Sequence, residues 1–245
     1  MILRGDLHLH SCLSPCGSLE MSPSRIVQEA LQKHLDIIAL TDHNSALNCP
    51  TLAKLVAQTP LLALYGIEVT TIEEVHVLVL FETMESALNL GEIIYASLDD
   101  FPNDPERFGD QVYVDEEEVI KGVVEKYLGQ ACHFSLDEIV QLGHKSGGLV
   151  IPSHIDRMGS GLLDNLGFLA PPDETHFDAL ELSKRYWLEP FPLNGKDLYT
   201  CIGNSDAHFP EAIGCVQTLF DTEEKSFAAL REALKQKRVR VEISP

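Results

Sequence analysis

The sequence predicts an α/β fold, and three observations carry that reading. Short apolar runs rich in β-branched residues alternate with amphipathic stretches of helical period along most of the chain. At 245 residues, 44% of them hydrophobic, the chain can bury one large core or two modest ones, so fibrous and disordered classes drop out. His and acidic residues, finally, fall mostly just after the apolar runs. In a barrel of parallel strands with outer helices, those positions converge on one mouth.

Taken in order, a first strand spans 1–7, and a helix over 21–34 opens at Ser22-Pro23, a cap followed by Pro. A second strand covers 36–40, with a helix, or a loop plus helix, over 44–58. Strands at 61–69 and 75–81 follow, and 84–98 has the period of a helix. Segment 99–129 breaks the rhythm with Pro102, Pro105, an acidic run at 115–118 and a β-like 119–127. It reads as an insertion, part irregular and part hairpin, lying over the mouth. Ser135-Leu136-Asp137-Glu138 is a capping-box pattern for a helix ending near Gly147-Gly148. Strands at 149–152, 179–182 and 199–203 come next. A last strand pair near 216–220 and 238–243 brackets a helix over 223–237. With no repeat and no linker, a single domain over 1–245 is expected, the insertion at about 99–129 included.

Lys and Arg total 18 against 38 Asp and Glu, a formal charge of −20. Such a surface repels long polyanions, so long duplex DNA is not expected as a partner. The six cysteines are not needed as staples in a chain of this length. No signal-peptide pattern opens the sequence, and no apolar run approaches the roughly 20 residues of a membrane helix. A cytoplasmic protein with reduced thiols and no membrane partner is the expectation.

Asp6, His8 and His10 follow the first strand; Asp42 and His43 follow the second; Glu68 closes the third; His154, Glu181, Asp206 and His208 follow later ones. Asp6-x-His8-x-His10 has period 2, which in an extended segment puts all three side chains on one side, two imidazoles toward a metal and Asp6 behind them. Alone it also reads as a polar strand end with exposed His. Asn204-Ser205-Asp206-Ala207-His208 repeats the spacing near the other end of the chain, and two such pairs favour the metal reading.

The ordered set Asp6-Leu7-His8-Leu9-His10-Ser11, Leu40-Thr41-Asp42-His43-Asn44, Gly66-Ile67-Glu68, His76, Pro152-Ser153-His154 and Ser205-Asp206-Ala207-His208 resembles the polymerase and histidinol phosphatase (PHP) superfamily of metal-dependent phosphoesterases. The resemblance runs from residue 6 to residue 208. It implies a distorted (β/α)7 barrel with a di- or trinuclear centre at its mouth. By it, His8, His10, Glu68 and Asp206 hold one ion; Glu68 is shared with a second, which also takes His76 and His154; His43 and His208 belong to a third. An imidazole and carboxylate set suits two or three ions of Mn²⁺, Fe²⁺ or Zn²⁺ better than Mg²⁺ alone. His76 is a ligand by resemblance only, because it precedes its apolar run and a parallel strand there would put it at the wrong end of the barrel.

One stretch departs from the family. Many members carry Ser-Asp-Gly after the first His pair, where this chain has Ser14-Pro15-Cys16-Gly17. Either the third site is weaker and more open, or Cys16 substitutes as a thiolate and shifts the preference toward Zn²⁺ or Fe²⁺. Cys12 and Cys16 also read as two reduced loop thiols, and Glu20 is near enough in sequence to be a replacement acid. His34, His133, His144 and His176 are expected to be structural.

Ions held a few ångströms apart lower the pKa of a bridging water, orient it for in-line attack and stabilise the leaving oxygen. No P-loop, nucleophile elbow or Cys nucleophile signature competes with that chemistry. Asp42, beside His43, is the candidate proton acceptor or orienting group. Arg157, three residues past His154, is the candidate bidentate phosphate clamp, and Lys184 and Arg185 are further candidates for substrate contact; each also reads as a surface cation. The expected substrate is a small phosphomonoester such as a nucleoside 3′,5′-bisphosphate, or a short oligonucleotide such as the 5′ end of short RNA. Histidinol phosphate is the runner-up. Two other classes remain: a non-catalytic metal-binding module, and an amidohydrolase-like enzyme, for which the strand ends offer no bridging Lys.

Overall fold

The computed structural model describes residues 1–244. Its main sheet joins, from edge to edge, β11 (Val239–Ile243), β10 (Val216–Asp221), β1 (Ile2–Leu9), β2 (Ile37–Leu40), β3 (Leu62–Thr70), β4 (His76–Phe81) and β7 (Leu149–Pro152). A hairpin of β5 (Val112–Val114) and β6 (Ile120–Val123) and a parallel pair of β8 (Leu180–Glu181) and β9 (Cys201–Ile202) complete the strands. The seven-stranded sheet curls into a half-barrel, a distorted relative of the closed (β/α) barrel. The β8–β9 pair spans its gap: Ile155 N donates to Glu181 O beside β7, and Leu7 N of β1 donates to Asn204 Oδ1 just after β9.

Strand direction departs from an all-parallel barrel. β1, β2 and β3 are parallel, but β4 runs antiparallel to both β3 and β7, with Thr70 opposite His76. The start of β4 therefore lies beside the end of β3. His76, which a parallel strand would have sent to the far end, is carried to the mouth. Gly66 allows this pairing to be close, since a Cβ there would sit 2.6 Å from Val79 O.

The inner strands are buried on both faces, and successive residues alternate between two clusters. Ile37, Ala39, Leu64, Leu78, Leu80, Leu149 and Ile151 face one cluster, together with Phe220 and the apolar side of α9 (Phe227–Lys235). Ile38, Leu40, Ile67, Val77, Val79 and Val150 face the other, under α1 (Pro23–Gln32), α2 (Cys49–Val56), α3 (Met84–Ser97) and α5 (Leu136–Lys145). Glu68 shares the parity of Leu64, and His76 that of Leu78 and Leu80, so the interior face changes from apolar to ligand-bearing at the mouth. The helix starts follow the sequence signals: Ser22 caps α1 ahead of Pro23, and Ser135 with Glu138 forms the capping box of α5.

Segment 99–129 contains α4 (Pro105–Phe108) and the β5–β6 hairpin. It is braced on the loop after β1, where Val112 N donates to Cys12 O, and on α2, where Thr51 Oγ1 donates to Val114 O. Short helices α6 (Leu162–Leu166), α7 (Pro172–Thr175) and α8 (Lys184–Leu188) lie in the connections around β7, β8 and β9. All six cysteines are free thiols, and no helix among the described residues is long and apolar enough to cross a membrane.

Candidate metal centre

Glu68 is the hub of the mouth. Its Oε1 lies 3.1 Å from His76 Nδ1, 3.1 Å from His154 Nε2 and 3.3 Å from His8 Nε2. Its Oε2 lies 3.2 Å from His43 Nδ1 and 3.3 Å from His10 Nε2. Asp206 Oδ1 sits 3.3 Å from His8 Nε2, 3.2 Å from His10 Nε2 and 3.7 Å from His208 Nδ1. The eight side chains singled out as ligands from the sequence thus come together in one contiguous cluster, from chain positions almost 200 residues apart.

Two beginnings of this geometry are local. The register of β1 on β2 shifts between Asp6 and Leu9, so Leu3 and Leu7 face the interior cluster while His8 and His10, of opposite parity, reach Glu68. Asp6 does not join them: it accepts bonds from Ser205 N, Ser205 Oγ and Gly214 N. The single-sided arrangement expected of Asp6, His8 and His10 gives way to this shift. Two candidate ligands, His154 at φ 29° and Asp206 at φ 50°, and Asn44 beside His43 at φ 49°, also have left-handed backbone. Such strain in non-Gly residues persists only where surrounding contacts enforce it.

Hydrogen bonds behind the cluster select tautomers. His8 Nδ1 is 2.9 Å from Glu181 Oε2, His10 Nδ1 is 2.9 Å from Ser14 Oγ, and His208 Nδ1 is 2.8 Å from Asp206 O. Each of these Nδ1–H groups donates to its oxygen, which leaves Nε2 aimed into the mouth, open to an ion once any proton on it is displaced. Asp42 accepts from Ser11 N, Ser11 Oγ and Ser14 Oγ, so it reaches the cluster only through Ser14 and His10.

The donor set fits divalent ions. His43 Nδ1 and His154 Nδ1 are buried without a hydrogen-bond partner, and His8 Nε2 and His10 Nε2 face each other at 3.1 Å. Ligand atoms around a four-coordinate ion at about 2.0–2.1 Å stand roughly 3.3 Å apart. The contacts among His8, His10, Glu68 and Asp206 have that spacing, and a cation would take the place of the proton held among them.

Electrostatics agree. Burial pushes Glu68 and Asp206 up, but the surrounding imidazoles, His8 foremost, more than offset it and hold both carboxyls well below their usual range. Burial pulls His10 down, yet Asp206 and Glu68 outweigh it and raise the imidazole to about 9. His208 drops to about 4 through burial and the neighbouring His10 charge. Cys16 is exposed as a residue, but desolvation of its thiol and then the charges of Glu68 and Asp206 push it up to about 12.

The substrate candidates divide. Arg157 stands at the edge of the cluster, its Nη2 2.5 Å from Asp206 Oδ2. Lys184 and Arg185 are exposed at the start of α8, with no ion pair to the cluster among the described residues. Glu20 is exposed and lines a separate surface cavity with Arg25 and Glu118. His133 and His144 pair with Asp99 and Asp178, away from the mouth.

Sequence reasoning noted Glu181 at a strand end and gave it no role. It is buried and accepts from His8 Nδ1, from His154 N at 3.0 Å and from Asn204 Nδ2 at 2.8 Å. Gln at this position keeps one acceptor oxygen but loses the charge, and its N–H₂ must face either Asn204 Nδ2 or the donors of His8 and His154. Glu181→Gln is expected to weaken metal affinity about 10–100-fold in a direct metal titration. Wild-type affinity in that variant would remove Glu181 from the centre.

The sequence profile of the PHP domain matches residues 6–150, more than half of the chain, and a profile described as PHP-associated matches residues 198–239. No curated protein matches the chain. Among solved structures, endonuclease Q, a lesion-specific endonuclease from Pyrococcus furiosus, is similar at 19% identity and TM-score 0.64, over 96% of this chain and 56% of that one. Endonuclease Q in complex with a 27-mer duplex, an abasic lesion at its active site, is similar at 20% identity and TM-score 0.64, over 96% and 57%. A two-domain protein from Bacteroides vulgatus, described as containing a PHP-like metal-dependent phosphoesterase, is similar at 19% identity and TM-score 0.57, over 99% and 65%. These likenesses are of fold, and the chain spans little more than half the length of endonuclease Q. They correct the exclusion of long duplex DNA drawn from net charge. Net charge averages over the whole surface, whereas a duplex meets the field of one face.

Proposed function

The chain belongs to the PHP domain family, and from that premise we propose that its mouth hydrolyses a phosphoester with two or three bound ions of Mn²⁺, Fe²⁺ or Zn²⁺. The observation that carries the reading is the convergence of six imidazoles on Glu68 and Asp206 with one guanidinium, Arg157, at the edge. Bound there, divalent ions supply Lewis acidity to the phosphoryl group and acidity to a coordinated water. His8, His10, Asp206 and Glu68 would hold one ion, Glu68, His76 and His154 a second, and His43 and His208 a third. Glu181 and the Asp42–Ser14 relay orient His8 and His10; Asp42 is a positioning residue in this scheme. Arg157 supplies parallel N–H donors to phosphate oxygens, with Lys184 and Arg185 as outer cations.

For substrate, the reading favours a phosphomonoester such as a nucleoside 3′,5′-bisphosphate or the 5′ end of short RNA, with histidinol phosphate as runner-up. A second reading, cleavage of a phosphodiester in duplex DNA, has its own support in the endonuclease Q complex with an abasic duplex. A product screen with Mn²⁺-loaded protein decides between them: bisphosphates, histidinol phosphate, 5′-phosphorylated short RNA, and duplexes with and without an abasic site. Metal-loaded protein that turns over none of these while keeping its ions supports a non-catalytic metal-binding module instead. On the active substrate, Arg157→Ala is expected to raise KM about 10–100-fold, and Arg157→Lys to recover only part of it, because charge-assisted bonds contribute about 1.5–3 kcal/mol and Lys lacks the planar fork. An unchanged KM in Arg157→Ala would remove the clamp.

A further inference from the structure

We propose that Cys16 is a metal ligand, its Sγ completing with the imidazoles of His43 and His208, beside His10, a subsite for a thiophilic divalent ion such as Zn²⁺ or Fe²⁺. The inference rests on reading the mouth as a metal centre and adds to it the residue that sets which ion one part prefers. One potential ligand atom from each of Cys16, His43, His208 and the neighbouring His10 lies within 4.8 Å of the others. Cys16 Sγ is 3.1 Å from His208 Nε2, and the opposite nitrogen of that ring is committed to Asp206 O. His10 is turned the same way by Ser14. Its ring stacks on His208 at 4.3 Å between centroids and stands 4.6 Å from His43.

His43 is 8% exposed, and its Nδ1 has no hydrogen-bond partner. With Nδ1–H of His208 spoken for, its Nε2 lone pair faces Sγ, and His43 and His10 stand beside that pair. A cation there would be held by Sγ and His208 Nε2, with a His43 nitrogen in reach as a third donor.

The loop holds the sulfur in place from both sides. Gly17 N donates to Ser14 O at 2.8 Å and Ser18 N to His208 O at 2.9 Å. Gly109 of segment 99–129 packs so tightly on Pro15 that a Cβ there would lie 2.0 Å from Pro15 O. The other ligand groups among the described residues contain only nitrogen and oxygen donors, so among those residues a soft ligand enters the mouth here alone. Thiolate with imidazole selects Zn²⁺, Fe²⁺ or Co²⁺ over Mg²⁺ and Mn²⁺.

The test titrates Co²⁺ into metal-free wild type, Cys16→Ser, Cys16→Asp and Cys12→Ser, and follows bound-ion content and the near-ultraviolet thiolate-to-cobalt charge-transfer band. The band is expected in wild type and in Cys12→Ser, whose sulfur is buried against Val112 O, and absent from both Cys16 variants. Cys16→Ser should hold about one ion fewer, while Cys16→Asp keeps the ion content and moves the preference toward Mn²⁺. Wild type that fills with ions yet never shows the band overturns the thiolate ligand and leaves the Glu68-centred reading standing. Wild type that takes up no ion overturns both. Unchanged ion binding with abolished turnover in Cys16→Ser makes the sulfur a nucleophile paired with His208 and overturns the ligand role.

Discussion

Glu68→Gln is expected to lower metal affinity by more than about a hundredfold and hydrolytic turnover with it, a larger loss than for groups that only orient ligands. Both carboxylate oxygens of Glu68 are used, Oε1 by three imidazoles and Oε2 by two, at 3.1–3.3 Å. Gln keeps the volume but removes the charge and replaces one oxygen with an amide N–H₂ that faces lone pairs. Among the described residues no other carboxylate pairs with the imidazole of His43, His76 or His154, so nothing takes over the shared position. Elemental analysis after dialysis and phosphate release measure the effect. Ion content and rate within about tenfold of wild type would show that Glu68 is not the hub.

Stripping the ions with a chelator should lower the melting temperature by about 5–16 °C. A ligand present at 100–1,000 times its Kd adds about 2.7–4.1 kcal/mol to the folded state, and 1 kcal/mol moves Tm by about 2–4 °C in a chain of this size. The gap should shrink as pH falls. Burial lowers the His10 pKa, but Asp206 and Glu68 raise it to about 9, so the metal-free protein holds a proton that an ion must displace. Below that pH, each further drop makes the displacement harder. Glu68 and Asp206 have depressed pKa values in the metal-free fold. Their contribution to its stability is present above the unfolded carboxylate range and is lost only in strong acid, so it cannot mimic the narrowing gap near neutral pH. Scanning calorimetry from pH 6 to 9, with and without chelator, distinguishes the two. Identical melting curves throughout would mean that the cluster binds no ion.

Much of this centre was legible because its signals are short. Asp6-x-His8-x-His10 and Asp206-x-His208 mark candidate ligands within a few residues, and the apolar runs place them at strand ends. The capping signals at Ser22 and Ser135 were equally local. His76 was not legible from pattern, because a strand's direction is a relation to its neighbours and leaves no mark on its own residues. Nor was the shift in β1 that turns His8 and His10 inward while Asp6 turns to Ser205 and Gly214. Glu181 stood at a strand end like other acids, and its partner His8 lies 173 residues away in sequence. Lys184 and Arg185 show the converse: adjacency to a strand end did not bring them into the cluster.

The sequence by itself determined the α/β class, the succession of strands and helices, and which residue types stand at the strand ends, since periodic burial and capping depend on neighbours a few positions apart. Only the tertiary structure decided that β4 reverses, that Glu68 faces five imidazoles at once, that Glu181 and Ser14 set the tautomers, and that Cys16 joins His208. Each of those depends on contacts between distant segments. Geometry of that kind arises when a curled sheet brings its strand ends together, and no local pattern encodes it.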